Sequence, residues 1–226
     1  MLTLVLTRHG LTGRSIPEQH LGQRIDVGLS DEGRNQAEAL GRRLAGVAFE
    51  RIVTSPLRRA RETAAIMAAA APGHPSPELD DRLVEMDYGA WEGLTYAEIE
   101  ARDSARRALW EREPAANACP GGESGDDVAA RATAFLRDLI AWHDKLESGG
   151  STAERPVLAV AHSTFDRILV CVATGVPITE FRRRFSQDQA NLTVLRFEHG
   201  RRPADARILV LNDTAHLRAA GAIPWE

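Results

Sequence analysis

Two histidines stand directly after short apolar runs, where an imidazole could take part in chemistry. Arg8 and His9 follow the run LTLVLT at residues 2–7, and His162 follows the run PVLAVA at residues 156–161. Neutral imidazole can act as a nucleophile toward phosphorus, and a guanidinium fork matches the oxygens of a phosphoryl group. The residue types therefore indicate phosphoryl chemistry, provided that the fold brings the two histidines together.

A third apolar run, RIVTS at residues 51–55, leads to Arg58 and Arg59 at the start of a predicted helix. Runs of this length are typical of strands buried on both faces of a parallel sheet, and ligands bind beyond the carboxyl ends of such strands. A helix N-terminus adds backbone N–H donors for an anion. Of the 28 basic residues only Lys145 is not an arginine, so a single arginine is weak evidence. The stronger evidence for an anion site is that two histidines and Arg59 are all predicted to lie at the same edge of the sheet.

The segments between these runs carry apolar residues at three- and four-residue spacing, which predicts helices, with Ser30 as N-cap of the first. Two later strands follow, the first with the alternating β-branched pattern of an edge or antiparallel strand. The predicted helices lie at residues 30–46, 55–71 and 126–146, and the later strands at 191–198 and 207–213. This order predicts an α/β fold, a three-layer sandwich with a mostly parallel central sheet and helices on both faces.

Residues 80–124 fit this alternation poorly, because they are rich in charge, tryptophan and glycine. We predict one domain over residues 1–226, in which about residues 80–124 form a helical, lid-like insertion over one end of the sheet. Trp91 and Trp110 lie in or beside this segment. They either contact the substrate or pack the insertion onto the sheet, and the sequence leaves both roles open.

The overall charge and the cysteine content exclude several classes of protein. A formal net charge of −4 gives no basic field for nucleic acid or an anionic membrane, and no apolar run approaches the length of a membrane helix. The two cysteines, Cys119 and Cys171, predict free thiols and a cytoplasmic location. The seven histidines include no HExxH pair or Cys/His cluster, and no P-loop is present. We therefore expect no metal and no cofactor.

These residues resemble the motifs of the histidine phosphatase superfamily, also called the phosphoglycerate mutase-like family. Several separated motifs match in the family's order between residue 2 and about residue 169, which is far more specific than a single RHG. The matching segments are LTRHGLT, LGQRIDVGLSDEGRNQAEALG, IVTSPLRRARETA, EMDYGAWEGLT, PGGES and VLAVAHSTFDRIL. The resemblance implies a phosphoglycerate mutase-like fold and a phosphomonoester hydrolase of the phosphatase branch.

The resemblance also implies a role for five residues. His9 matches the nucleophile that becomes phosphorylated, Glu85 matches the general acid and base, and Arg8, Arg59 and His162 match the positions that hold the phosphoryl oxygens. Physical reasoning adds that His9 must be neutral to attack, with a backbone carbonyl near residues 10–12 accepting from its other ring nitrogen. The same reasoning predicts a protonated His162 that stabilises the charge of the phosphoryl group.

Two positions depart from the pattern of the family. Many members carry asparagine where this chain has Ser15, and many carry glycine where it has Ser163. The shorter Ser15 would leave a phosphate oxygen to water, whereas Ser163 still offers its backbone N–H. We expect both residues, together with Gln23 in the loop LGQRID, to face the substrate. No substrate of a subfamily can be carried over.

The leading hypothesis is hydrolysis of a small-molecule phosphomonoester, without nucleic-acid or membrane partners. The alternatives are a cofactor-dependent phosphoglycerate mutase and a non-catalytic phosphate-binding or protein-interaction domain. The family's mutases typically place Trp-Asn after the first motif and Gly-Asn after the second histidine, where this chain has GRS and ST. A non-catalytic relative would be expected to lose His9 or Glu85. The C-terminal segment from residue 211 is either a tail over the pocket or a contact of a homodimer.

Overall fold

The centre of the fold is one mixed sheet in a computed structural model that describes residues 1–70, 73–149, 155–198 and 202–218. Across the described residues the strand order is β3-β2-β4-β1-β5-β6. The first four strands in the chain run parallel, and β5 is antiparallel to both of its neighbours. The strands are β1 (Leu2–Arg8), β2 (Arg51–Thr54), β3 (Glu78–Leu79), β4 (Val157–Ala161), β5 (Leu192–Phe197) and β6 (Arg207–Asp213). The predicted mostly parallel sheet is confirmed.

Helices cover both faces of this sheet. They are α1 (Asp31–Leu44), α2 (Arg58–Ala69), α3 (Tyr96–Arg112), α4 (Gly125–Ser148), α5 (Ser163–Thr174) and α6 (Phe181–Arg184), with short 3-10 turns between them. Ser30 is the N-cap of α1, since its hydroxyl accepts from the N–H of Gly33 at 3.1 Å. Within the described part of the chain, no helix combines the length and the apolar character needed to cross a membrane.

The alternation of side chains along the strands divides the core into two layers. Leu4 and Leu6 of β1 pack with apolar residues of α4 and α5 on one face, whereas Val5 packs with α1 and α2 on the other. Successive residues of a strand point to opposite faces, so a strand between two helical layers must be apolar throughout. This requirement explains the continuous apolar runs, and it makes the fold the predicted three-layer α/β sandwich.

Three of these elements, β3, α5 and the four-residue α6, were not predicted from the sequence. The strand β3 has two residues, too few for an apolar run. The helix α5 follows β4 at once, and eight of its twelve residues are buried. No glycine or proline separates it from the apolar run of β4, so the sequence does not mark where the strand ends and the helix begins. The strand predicted at residues 191–198 is β5, which is antiparallel to both neighbours and lies inside the sheet. The strand β6 forms the edge next to it.

The segment at residues 80–124 contains two 3-10 turns and the helix α3, which is kinked at Asp103. Trp91 is buried in the core, and its ring meets the ring of Trp110 edge to face with centroids 5.8 Å apart. Trp110 also lines the pocket described below. Trp91 and Trp110 both pack in the core, and a contact of Trp110 with substrate stays a prediction. The lid-like character of this segment stays a prediction, and residues 219–226 of the C-terminal segment lie outside the described part.

Candidate active site

The carboxyl ends of three neighbouring parallel strands bring the predicted residues to one edge of the sheet. β4 lies between β1 and β2, with Arg8 at the end of β1 opposite Ala161 and Thr54 at the end of β2 opposite Val160. His9 follows β1, His162 follows β4, and Arg59 lies in the first turn of α2 after β2. The two imidazole rings have centroids 5.2 Å apart. The predicted convergence of two histidines and Arg59 is therefore present.

A pocket of about 420 Å³ opens at this edge. The side chains that line it include six of the eight residues predicted to act in catalysis or substrate binding: Arg8, His9, Ser15, Arg59, Glu85 and Ser163. The other two predicted residues, Gln23 and His162, lie behind the wall of the pocket. Four guanidinium groups and three carboxylates line this pocket, so the cationic side chains outnumber the anionic ones, which favours an anionic ligand.

The ring of His9 is held in one tautomer by the backbone. Its Nδ1 lies 2.7 Å from the carbonyl oxygen of Gly10, which can only accept, so Nδ1 carries the proton. The Nε2 atom therefore keeps a lone pair. Burial, reinforced by the charges of Arg59 and Arg8, holds the pKa of His9 well below its ordinary value. The imidazole is thus neutral and nucleophilic, and the predicted backbone acceptor is confirmed.

Two arginines flank His9 with part of their donors engaged by the protein. Arg59 is 1% exposed, and its terminal nitrogens donate to the carbonyl oxygens of Gly22 at 2.6 Å and Ile25 at 3.1 Å. Arg8 donates through Nη1 to the carbonyl oxygen of Gln187 at 2.9 Å, and its buried Nε has no partner among the described residues. Since a guanidinium carries five N–H groups, both side chains keep donors for phosphoryl oxygens.

The structure corrects the prediction that His162 is protonated. The Nε of Arg59 donates to Nδ1 of His162 at 3.3 Å, so Nδ1 is an acceptor and the proton lies on Nε2, 2.8 Å from the hydroxyl of Ser55. Burial, together with the charge of Arg59 next to it, holds the pKa of His162 well below its ordinary value. A fully buried ring between cations is therefore neutral. Its contact with phosphoryl oxygens stays a prediction, because both ring nitrogens are engaged by the protein.

Glu85 is fixed by backbone N–H groups from two segments. Its Oε1 accepts from the N–H of Met86 at 2.8 Å and of Phe165 at 3.1 Å, and its Oε2 accepts from the N–H of Thr164 at 3.2 Å. Thr164 and Phe165 belong to the first turn of α5, whose N–H groups have no partner within the helix. A carboxylate at this end of the helix is favoured by the helix dipole. Glu85 is thereby held at the pocket beside His9.

The remaining predicted residues take different positions. Ser15 lines the pocket, and its hydroxyl bonds the N–H of Thr12 at 3.1 Å, which closes the loop after His9. Ser163 lines the pocket at the first position of α5. Gln23 turns its amide inward and donates to the carbonyl oxygen of Glu85 at 2.8 Å. Gln23 is not among the residues that line the pocket, and its amide supports the segment that carries Glu85. Its contact with substrate stays a prediction.

Close backbone packing positions the loop that carries His9. A Cβ atom added at Gly33, in the first turn of α1, would lie 1.9 Å from the carbonyl oxygen of Leu11. One added at Gly10 would lie 2.4 Å from the carbonyl oxygen of Gly33. The N–H of Gly10 also donates to the hydroxyl of Thr63 in α2 at 3.1 Å. Glycine is therefore required where α1 packs on this loop, a contact that no local pattern of residues indicates.

Replacing Gly33 by alanine is expected to destabilise the protein and to reduce activity together. The methyl group would push the loop at Leu11 away from α1, and overpacking of this kind costs about 1–3 kcal/mol in the free energy of unfolding. Urea unfolding and a phosphatase assay measure the two effects. The matched control is Gly46→Ala, because a Cβ there meets no atom within 4 Å. Equal stability of the two variants would contradict the proposed packing.

Aromatic rings form the wall of the pocket opposite the sheet. The ring of His20 stacks on Tyr88 with centroids 4.0 Å apart, and Tyr96 and Trp110 approach His20 edge on. The hydroxyl of Tyr88 bonds that of Thr164 at 2.6 Å. Burial, with the charges of Arg182 and Arg107, lowers the pKa of His20 to about 3. His20 is therefore a neutral aromatic wall and was not identified from the sequence.

The lowered pKa of His20 predicts a loss of stability in acid. Between pH 6.5 and about 3 the unfolded chain binds a proton that the folded protein does not, so stability falls as the pH falls. From pH 7.5 to 5.5 the wild type should lose about 1.4 kcal/mol more than His20→Phe, which keeps the aromatic wall without titrating. Urea unfolding of both proteins at the two pH values measures this difference. Identical losses would show that His20 is protonated in the folded state.

A group of side chains able to hold a metal ion lies away from this pocket. His143, Asp144 and Glu147 near the end of α4 place one ligand atom each within 4.8 Å of one another. None of the three lines the pocket. Glu147 also pairs with the N-terminal ammonium of Met1. A carboxylate that already has a cationic partner needs no metal ion to balance its charge, so this group carries no metal assignment.

Comparison with known proteins agrees with this geometry. The family described as the histidine phosphatase superfamily (branch 1) matches residues 4–214. A glucosyl-3-phosphoglycerate phosphatase from Mycolicibacterium vanbaalenii is 37% identical over 77% of this chain and 75% of its own. Phosphoserine phosphatase 1 from Hydrogenobacter thermophilus is 30% identical over 96% of this chain and 95% of its own.

The solved structures of similar proteins have the same fold. A mycobacterial glucosyl-3-phosphoglycerate phosphatase complexed with VO3 superposes with a TM-score of 0.84 at 32% identity, over 95% of this chain and all of that one. The sheet order, the paired histidines at its edge and these comparisons lead to one assignment. The chain belongs to branch 1 of the histidine phosphatase superfamily, and it is a phosphomonoester hydrolase of that family.

Proposed function

We propose that this hydrolase works in two steps through a phosphohistidine on His9. The observation that carries the proposal is the tautomer of His9: Nδ1 donates to the carbonyl oxygen of Gly10, so the unprotonated nitrogen is the one left for attack. Arg8, Arg59 and Glu85 line the same pocket. A neutral nucleophile with cations and a carboxylate around it suits phosphoryl transfer, in which catalysis is mostly positioning and electrostatic stabilisation.

In the first step the phosphoryl oxygens bind Arg8, Arg59 and the backbone N–H of Ser163. The lone pair on Nε2 of His9 attacks phosphorus, and the bond between phosphorus and the ester oxygen breaks. The ester oxygen leaves with the electron pair of that bond and takes a proton from Glu85. The Nε of Arg59 is bonded to His162, which keeps the guanidinium plane fixed. The products of this step are an alcohol and phosphorylated His9.

In the second step water attacks the phosphohistidine and gives a proton to Glu85. The bond between phosphorus and Nε2 breaks, the electron pair returns to His9, and inorganic phosphate leaves. Glu85 thus acts first as an acid and then as a base, and the cycle ends with both groups in their starting states. Its position at the first turn of α5 keeps the carboxylate beside the leaving oxygen in both steps.

We also propose that the reaction needs no metal and no cofactor. We propose further that the protein is cytoplasmic and has no nucleic-acid or membrane partner. Its anion-binding groups are guanidinium and backbone N–H donors, which need no bound ion to hold a phosphoryl group. The net charge of −4 supports the lack of nucleic-acid and membrane partners. The two cysteines are free thiols, as expected in a reducing compartment. A homodimer stays a prediction that gel filtration with light scattering can test.

The test is phosphate release from a panel of phosphomonoesters in the presence of EDTA, with rapid acid-free quenching to trap labelled protein. We expect release to be unaffected by EDTA, and label from the ester to be recovered on a histidine as an acid-labile, base-stable adduct. Transfer of phosphate between phosphoglycerates without release would instead indicate a mutase. The absence of both release and transfer would indicate a binding role. Loss of release with EDTA would show a metal requirement.

A further inference from the structure

An arginine outside the pocket binds the backbone of the segment that carries Glu85. Arg131 belongs to α4, its side chain is 15% exposed, and it does not line the pocket. Its Nη1 donates to the carbonyl oxygens of Arg82 at 2.7 Å and Val84 at 2.6 Å. Its Nη2 donates to the carbonyl oxygen of Glu85 at 3.1 Å. One side chain therefore holds three carbonyl groups within a stretch of four residues.

The other donors of Arg131 bind a carboxylate that holds the same segment. Its Nε donates to Oε1 of Glu123 at 3.1 Å, and its Nη2 donates to Oε2 at 3.2 Å. Oε2 of Glu123 also accepts from the N–H of Asp87 at 2.9 Å and from the amide of Gln23 at 3.2 Å. A guanidinium has five N–H groups, and these contacts give each of them an acceptor. Arg131 thus keeps no donor for a ligand, in contrast to the arginines of the phosphoryl site.

Arg131 also packs on the second element that fixes Glu85. Its Cζ lies 5.1 Å from the centroid of the Phe165 ring. The N–H of Phe165, in the first turn of α5, donates to Oε1 of Glu85 at 3.1 Å. The guanidinium therefore contacts both the segment that supplies the carboxylate and the helix that receives it. Removal of this side chain would loosen both attachments of Glu85.

The segment around Glu85 has little backbone support of its own. Residues 84–88 belong to neither a helix nor a strand, so their carbonyl groups lack the partners that a ladder or a helix would supply. Side chains must provide those partners instead. A displacement of about 1 Å at a reacting group can cost about 10²-fold in rate. The contacts of Arg131 therefore matter for the proton transfer by Glu85 as well as for the fold.

We propose that Arg131, paired with Glu123, is a positioning residue that holds Glu85 in place for proton transfer to the ester oxygen. Its guanidinium fork acts on three carbonyl groups at once, whereas a lysine ammonium is a point charge on a flexible stem. This inference rests on the proposed function, because it concerns the group that acts there as acid and base. It predicts a loss in kcat without a loss in binding of the phosphoryl group.

The test is hydrolysis of the alkyl ester that the wild type cleaves fastest, radiolabelled, by Arg131→Lys alone and combined with Glu85→Gln. We expect Arg131→Lys alone to lower kcat about 10- to 100-fold, and about 2-fold or less where Glu85 is already replaced. The dissociation constant of inorganic phosphate, measured by calorimetry, should change by about 2-fold or less. The matched control is Arg51→Lys, since Arg51 likewise pairs with a carboxylate, that of Glu78, and packs on the ring of Trp142 away from the pocket.

The double variant separates this inference from the proposed function. If Glu85→Gln hydrolyses alkyl esters at the wild-type rate, the proposed role of Glu85 fails. If Glu85→Gln is slow but Arg131→Lys keeps full kcat, or lowers kcat equally in both backgrounds, the positioning role is overturned while the proposed function stands. Weaker binding of phosphate with an unchanged kcat would likewise overturn it. Glu123→Gln should show the same pattern with a smaller loss, and it replaces Arg131→Lys in the test if that variant does not fold.

Discussion

Replacing His9 by alanine is expected to reduce phosphate release from every phosphomonoester by at least about 10⁴-fold, while the protein stays folded. The variant removes the only group to which the proposed mechanism transfers phosphorus. The remaining arginines bind and orient the ester, but no neutral nucleophile replaces Nε2. His9 is 4% exposed, and the hydrogen bond to Gly10 is the only one that its side chain makes among the described residues. Phosphate release and circular dichroism measure activity and folding.

The matched control for this experiment is His74→Ala. His74 bonds the carbonyl oxygen of Val47 at 3.0 Å and does not line the pocket, so its loss should leave turnover intact. The variant without His9 should also take up no label in the trapping experiment. Persistence of full activity in His9→Ala, with the purified protein free of wild type, would overturn the mechanism.

Replacing Glu85 by glutamine is expected to lower kcat for alkyl phosphate esters about 10²- to 10⁴-fold, the usual contribution of a general acid or base. An alkoxide is a poor leaving group and requires the proton that glutamine cannot donate. The amide would also turn an NH2 group toward one of the three backbone N–H donors that the carboxylate accepts. That mismatch adds about 1–3 kcal/mol of destabilisation, which urea unfolding measures separately from kcat.

The leaving group distinguishes the two roles of Glu85. With p-nitrophenyl phosphate the phenolate leaves without a proton, so phosphorylation of His9 should survive in Glu85→Gln while hydrolysis of the adduct is slow. A burst of p-nitrophenol followed by a slow phase, with labelled protein at steady state, is the expected result. Asp127→Asn is the control, because this carboxylate caps α4 outside the pocket. An unchanged kcat for alkyl esters in Glu85→Gln would contradict both roles.

The sequence was sufficient for five of the six strands of the described structure and for the residues that follow β1, β2 and β4. A strand between two helical layers must be apolar on both sides, so β1, β2 and β4 are visible as continuous runs without any knowledge of their partners. Because the residue after such a run leaves the sheet at its carboxyl edge, His9 and His162 could be placed at one site. Arg59 was placed at the same edge by the helix start after β2, Glu85 was added by its match to a motif of the family, and both line the pocket.

Other properties of the site depend on contacts between residues that are distant in the sequence. The charge state of His162 follows from its burial between Arg59 and Ser55, and no local pattern encodes burial by residues more than a hundred positions away. The inward turn of Gln23 depends on its bond to Glu85 in the same way. The tertiary structure therefore corrected the predicted protonation of His162, and it showed which partner holds the amide of Gln23.

The amino-acid sequence by itself therefore determined five strands of the sheet, the family and the residues that meet at the carboxyl edge, because each has a local pattern of residue types. Only the tertiary structure decided which of the many arginines line the pocket. Arg182 lies beyond the last matching motif, in the run FRRRF at residues 181–185. Nothing local separates it from its exposed neighbours Arg183 and Arg184. Its position over Trp110 arises from packing between α6 and α3, and packing of that kind is set by the whole fold rather than by spacing along the chain.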